Sequence, residues 1–392
     1  MVFVMTACAE NSSQSEKSQP AEQTTVQPTT MSAEEINDRK LDKFISDMTL
    51  EEKVGQMFFV RCPDEGAVQQ VSEYNIGGYI LFGRDFDGKT KDEVLDDIHS
   101  YQNEADIPLL IGVDEEGGTV VRVSSNPNLR ETPFLSPKDT YADGGWDAVK
   151  QDAEEKADLL FSLGINVNLA PVCDMTSDEY GFMYDRSFSS DVDMENRYVR
   201  TVVETSKSKK LGTVLKHFPG YGNNSDTHTG IAYDDRDYSE FENTDFKPFY
   251  QGIESGADCI LVSHNIVNCM DSEYPASLSQ KVHDILRNEF KFDGVIMTDD
   301  LIMDAITDFT GDEAAAVTAA KCGNDLLCCS SVNTQYPAVL EAVQNGEIPE
   351  AQVDASVKRI LKWKQNLGIF SIDTYQKKVK STEPTDTVGS EE

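Results

Sequence analysis

Histidine and tryptophan are scarce in this sequence, with five imidazoles and two indoles among 392 residues. Positive charge is scarce as well. Lys and Arg number 34 against 70 Asp and Glu, a formal net charge of −36. A phosphate backbone repels such a chain, which argues against nucleic acid as a partner and leaves a solvated acidic surface as the plain reading of the charge. Apart from Cys8, the cysteines form no C-x-x-C pair and no regular disulfide spacing. Cys173, Cys259, Cys322, Cys328 and Cys329 fall in or beside apolar runs and read as small core residues. Beyond the N-terminus no segment has the roughly 18 uninterrupted apolar residues of a spanning helix. A Walker-type loop, H-E-x-x-H and a Cys/His quartet are all missing, so neither phosphate cradling nor metal catalysis is expected.

From Asn11 to about Met31 the chain is Ser, Gln, Thr, Pro and Glu with almost no apolar residues, the composition of a disordered tether. A short apolar piece before it ends Met5-Thr6-Ala7-Cys8. Small residues ahead of a cysteine, with a polar tether behind, resemble the end of a bacterial lipoprotein signal in which Cys8 is lipidated. No basic n-region precedes it, and the apolar run is short for a full signal. The expected organisation is a signal remnant at 1–8, a linker at 9–35, one globular domain at 36–372 and a polar tail at 373–392. That places the protein outside the cytoplasm, with membrane contact only through the lipid.

Along the remainder, short apolar runs alternate with stretches of helical period. The runs are "VGQMFFVR" (54–61), "GGYILF" (77–82), "PLLIGVD" (108–114), "INVNLAP" (165–171), "TVLKHFP" (213–219), "CILVSH" (259–264), "GVIMTDD" (294–300) and "DLLCCS" (325–330). They are β-branched or aromatic and bounded by Gly, Pro or Asp, as buried parallel strands are. Eight such strands interleaved with helices predict an α/β fold of the (β/α)8 TIM-barrel type. A doubly wound open sheet is the structural alternative, and the lack of G-x-G-x-x-G after the first strand argues against it. The first strand also lacks the H-x-H of metal-dependent hydrolases on this fold.

Polar residues gather at the C-terminal ends of these strands, which in a barrel share one mouth. Asp114 ends the third, Asp174 follows the fourth, Lys216 and His217 close the fifth, His264 ends the sixth, and Asp299 and Asp300 end the seventh. After the fifth comes "KHFPGYGNNSDTHTG", a Gly/Asn/Ser loop. Its Asp226 could hold His228 in one tautomer for proton transfer, or make an Asx turn beside an idle surface histidine. Two adjacent carboxylates ending a buried strand suggest Asp299 as a nucleophile and Asp300 as a helix cap or orienting partner. Asp114 and Arg122 of "DEEGGTVVR" could bind sugar hydroxyls, or form an ordinary charged turn.

Taken in order, "DEEGGTVVR", "NVNLAPVCDM", "DRSFSSD", "KHFPGYG…DTH" and "GVIMTDDLIMDAI" resemble family 3 glycoside hydrolases, in their bacterial β-N-acetylhexosaminidase branch. The resemblance runs from about Leu41 to Phe370. It implies a retaining glycosidase without cofactor or metal, whose partner is a carbohydrate. Asp299 matches its nucleophile, His228 its acid/base and Asp226 the partner of that histidine. Asp114, Arg122, Arg186, Lys216 and His217 match its substrate-binding residues. Two departures stand out: Tyr221 replaces a histidine of the family pattern, and the loop from Lys216 to Asp226 is one residue shorter than usual. A β-glucosidase or β-xylosidase of the same family, or an inactive carbohydrate-binding lipoprotein, are the competing readings.

Overall fold

The computed structural model describes residues 31–224, 230–310 and 312–377, together with Val2. Cys8, most of the tether, and Asp226 and His228 lie outside the described residues. The chain divides into two units, Met1–Arg39 and Lys40–Glu392. The second carries the barrel.

Its strands are β1 (Phe58–Arg61), β2 (Gly78–Leu81), β3 (Leu110–Val113), β4 (Val167–Asn168), β5 (Gly212–Phe218), β6 (Cys259–Val262), β7 (Val295–Thr298) and β8 (Leu327–Cys329). They form one parallel eight-stranded sheet in the order β8-β1-β2-β3-β4-β5-β6-β7. A parallel bridge between Met297 and Leu326 joins the two ends. There the Thr298 amide donates to the Leu326 carbonyl at 3.1 Å, so the ring is the expected TIM-type barrel. Helices such as Lys91–Glu104 and Val192–Ser208 return the chain between strands, and Val332–Gln344 follows the last strand.

One element differs from expectation. The apolar run at 54–61 was expected to be strand throughout, but Val54, Gly55 and Gln56 end the helix Leu50–Gln56 and the strand starts at Phe58. The reason lies upstream: Thr49 accepts from the Glu52 amide while the Glu52 carboxylate accepts from the Thr49 amide at 2.9 Å. This capping box nucleates a helix whose buried face then takes Val54.

Within the ring, side chains alternate inward and outward. Phe59 of β1 points inward, and glycines make room for it. A Cβ at Gly112 would stand 2.5 Å from the Phe59 Cζ, and one at Gly78 would stand 2.9 Å from its Cδ2. Two residues further on, Arg61 emerges on the same side, at the mouth.

The opposite, N-terminal end is held by polar contacts. Asp325, 1% exposed, accepts from the Ile296 amide at 2.9 Å, Ser356 Oγ at 2.9 Å and Arg359 Nη1 at 3.0 Å, and pairs with Arg287. The fully buried Lys364 donates to Gln56 Oε1 at 2.8 Å. A cavity of about 230 Å³ at this end is lined by Phe44, Met48, Gln56 and Ile76 and lies away from the strand ends that carry the polar residues. Among the described residues no helix is long and apolar enough to cross a membrane.

Candidate active site

A cavity of about 320 Å³ opens at the C-terminal ends of the strands. Asp114, Arg122, Arg186, Lys216, His217 and Asp299 all line it, and so does Arg61, which the sequence reading passed over. Ile80, Leu169, Leu261 and Cys328 form its apolar floor.

Lys216 and His217 are neighbours in sequence, yet both reach the cavity. The pairing of β5 with β6 shifts register between Leu215 and Phe218, which breaks the strict alternation of the strand there. The Lys216 ammonium, 2% exposed, donates to Asp114 Oδ1 at 2.6 Å and lies 2.7 Å from Glu116 Oε1. Arg186 grips the same Glu116 with both ends of its fork, Nε to Oε2 at 2.9 Å and Nη2 to Oε1 at 2.8 Å. Burial alone would push the Glu116 carboxyl up, but the charges of Lys216 and Arg186 outweigh it and hold the group well below the usual carboxylate range. Lys216 is raised for the reciprocal reason: burial opposes its charge, while Asp114 and Glu116 prevail. Glu116 thus joins two of the site's cations, Lys216 and Arg186, and the sequence reading missed it. Only the convergence of β3, β5 and the segment carrying Arg186 reveals its role.

His217 is fixed from both sides. Its Nδ1 lies 2.7 Å from Asp174 Oδ2, and its Nε2 lies 3.2 Å from Arg186 Nη2. Guanidinium nitrogens only donate, so Nε2 accepts and the ring hydrogen sits on Nδ1, donated to Asp174. Asp174, buried just after β4, also accepts from the His217 amide at 2.9 Å and the Tyr221 amide at 2.7 Å. Tyr221 does not line the cavity. Its ring is 2% exposed and stands edge-on to His217 at 5.3 Å between centroids, beside Val172 and Met183.

Arg122 owes its position to a buried carboxylate. Glu115, fully buried, accepts from the amides of Arg122 at 2.9 Å, Val123 at 2.7 Å and Ser124 at 3.3 Å. Gly117, at φ 102°, lets the chain turn back: a Cβ there would meet the Leu135 carbonyl oxygen at 2.1 Å.

At the end of β7 the Asp299 amide donates to the Val262 carbonyl at 3.1 Å, and Asp299 Oδ1 accepts from the Asp300 amide at 2.9 Å. Asp300 turns aside, accepting from Ser330 Oγ at 2.7 Å and the Ile302 amide at 3.2 Å. It closes a turn rather than capping a helix, since the next helix begins at Asp304. Burial pushes its carboxyl up. Behind the pair lies His264, fully buried, with Nδ1 2.7 Å from Ser277 Oγ and Nε2 3.0 Å from the Asp300 carbonyl oxygen. A carbonyl only accepts, so Nε2 carries the hydrogen.

The stems of the loop after β5 are tied down. Thr176 Oγ1 donates to Asn223 Oδ1 at 2.7 Å, and Asn224 donates to Asp234 Oδ2 at 2.7 Å. Arg236 bridges Asp234 and Asp245, and a ribbon of Tyr233–Asp234 with Ile266–Val267 completes the return. Among the described residues no group of three or more His, Cys, Asp or Glu side chains could hold a metal ion.

Chemically, the mouth combines the Asp299 and Asp300 carboxylates just past β7 with a preorganised array of donors and acceptors, the kind of surface that reads hydroxyls at fixed spacing. Comparison with known proteins agrees. Residues 49–363 match the model of the glycosyl hydrolase family 3 N terminal domain. The chain is 32% identical over 286 residues to a β-hexosaminidase of Hydrogenovibrio crunogenus, covering 71% of this chain and 79% of that one. It is 31% identical over 327 residues to the β-hexosaminidase LpqI of Mycobacterium tuberculosis, covering 79% and 81%. Among solved structures it is similar to a family 3 β-N-acetylglucosaminidase from Paenibacillus, with a TM-score of 0.77 and 29% identity over 88% of this chain and 66% of that one. The chain therefore spans about two thirds of the Paenibacillus protein's length. From the barrel, its mouth and these likenesses together, the chain belongs to glycosyl hydrolase family 3 and is a glycoside hydrolase.

Proposed function

We propose that the chain is a retaining, exo-acting β-N-acetylhexosaminidase that removes terminal β-linked N-acetylglucosamine from glycans or peptidoglycan fragments. One observation carries the reading: Asp299 shares a cavity with the Lys216–Asp114–Glu116–Arg186–His217 network. The names of the relatives above support the choice of sugar. The network binds the hydroxyls of the terminal ring and presents its anomeric carbon to Asp299. In the first step an Asp299 oxygen bonds to that carbon as the glycosidic bond breaks, and His228 gives its proton to the leaving oxygen. In the second, water adds its oxygen to the same carbon, yields its proton to His228 and frees Asp299, with net retention. Asp226 holds His228 in the tautomer this needs.

The test is turnover of nitrophenyl N-acetyl-β-glucosaminide and nitrophenyl β-glucoside by the wild type and by Asp299→Asn. Selective hydrolysis of the acetamido sugar, falling at least about 10³-fold in the variant, is expected. Preference for the glucoside would replace the reading by a β-glucosidase. No turnover of either would replace it by a carbohydrate-binding protein.

A further inference from the structure

Lys216 and Arg186 spend their charge on Asp114 and Glu116. The cavity's other two arginines are differently placed. Arg61 ends β1 and lies over the Phe82 ring at 4.4 Å from its centroid; Arg122, from the segment after β3, lies at 5.9 Å from the same centroid. The Nε of each is buried with no hydrogen-bond acceptor among the described residues. Two guanidiniums flanking one aromatic ring repel each other, and a neutral hydroxyl would satisfy a nitrogen without relieving that repulsion. An oxyanion does both, and two planar forks with vacant Nε–H groups fit its geometry. Of the cavity's carboxylates, Asp114 is paired with Lys216 and Glu116 with Lys216 and Arg186, while Asp299 and Asp300 stand at the end of β7 and oppose it from there.

We propose that Arg61, with Arg122, forms an anion-reading subsite for an oxyanion carried on C6 of the terminal sugar, as a phosphate or sulfate ester. This rests on the hexosaminidase reading and adds a substrate class to it. Arg61 ends β1, which stands opposite β5 in the eight-stranded ring. Under the proposed mechanism the leaving group departs on the side of the β5 loop that carries His228, so the group Arg61 meets belongs to the terminal ring itself. C6 is the exocyclic arm of an N-acetylhexosamine with a free hydroxyl, and so carries such an ester furthest toward a wall.

The test is calorimetric binding to the Asp299→Asn protein, free of turnover, of N-acetylglucosamine, its 6-phosphate and its 6-sulfate, with and without the further substitution Arg61→Met or Arg61→Lys. The quantity read is the affinity ratio of esterified to plain sugar. A ratio of about tenfold or more is expected, shrinking with added salt, collapsing in Arg61→Met and partly kept in Arg61→Lys. Phosphate favoured without sulfate, or the reverse, identifies which ester the subsite takes. A ratio near one, or one that Arg61→Met leaves intact, overturns the subsite while leaving the hexosaminidase reading standing. Failure of all three sugars to bind overturns both.

Discussion

The Nζ of Lys216 lies 2.7 Å from Glu116 Oε1 with both side chains out of solvent. A buried ion pair contributes through geometry rather than through raw attraction, and losing one partner strands the other. Glu116→Ala strands two cations at once, Lys216 and Arg186. It is expected to cost about 3–5 kcal/mol, read by urea unfolding. The acid limb should report the same pair. The Glu116 carboxyl is depressed in the fold, so its contribution is complete above its ordinary value of 4.5 and is lost as pH falls below that toward the folded value. Unfolding midpoints of the wild type should decline below pH 4.5 more steeply than those of Glu116→Gln.

His264 is not among the residues lining the cavity, but it holds the carbonyl of Asp300, which is. Removing it frees the peptide that follows Asp299. His264→Ala should lower kcat by about 10- to 100-fold with little change in KM, the pattern of a misaimed nucleophile. A parallel rise in KM would point instead to a general loss of the mouth.

Lys364 is a fully buried ammonium that burial pushes down from 10.5 to about 7. Between those values the unfolded chain binds a proton that the folded chain does not, so stability falls as pH drops from 10.5 toward 7 and levels off below. Integrated over that window, this amounts to at most about 5 kcal/mol. Unfolding of Lys364→Met across the same window should lack this slope. An unchanged slope would mean that the lysine stays charged in the fold.

Gly112→Ala tests the packing of the barrel interior, because its Cβ would stand 2.5 Å from the Phe59 ring. A loss of about 1–3 kcal/mol is expected from thermal or urea unfolding. Phe59→Leu should recover part of that loss in the double variant but cost stability alone. Simple additivity of the two would disprove the contact.

The barrel was legible because its strands are short apolar runs with polar ends, and strand ends are where a barrel concentrates its chemistry. Asp114, Lys216, His217 and Asp299 could be drawn from the sequence for that reason, Arg122 from the turn that follows Asp114, and Arg186 only through the family resemblance; all six line one cavity. Glu116 could not, because one more acid in "DEEGG" looks like a surface turn until Lys216 and Arg186 close on it. Arg61 was hidden by its company: a lone cation closing "QMFFVR" reads as the solvent end of a strand. The helical identity of 54–56 was hidden too, since its signal is the capping pair Thr49 and Glu52 upstream and not the apolar residues themselves.

With Phe59 lodged between Gly78 and Gly112, the barrel is stoppered beneath its mouth. The cavity is a cul-de-sac, so a glycan cannot thread through it as through a tunnel. Under the proposed activity, each cleaved sugar must back out by the way it entered before the shortened chain can re-engage. Degradation would then be distributive: single sugars accumulate from the start, and partly trimmed chains of every length stand in solution together.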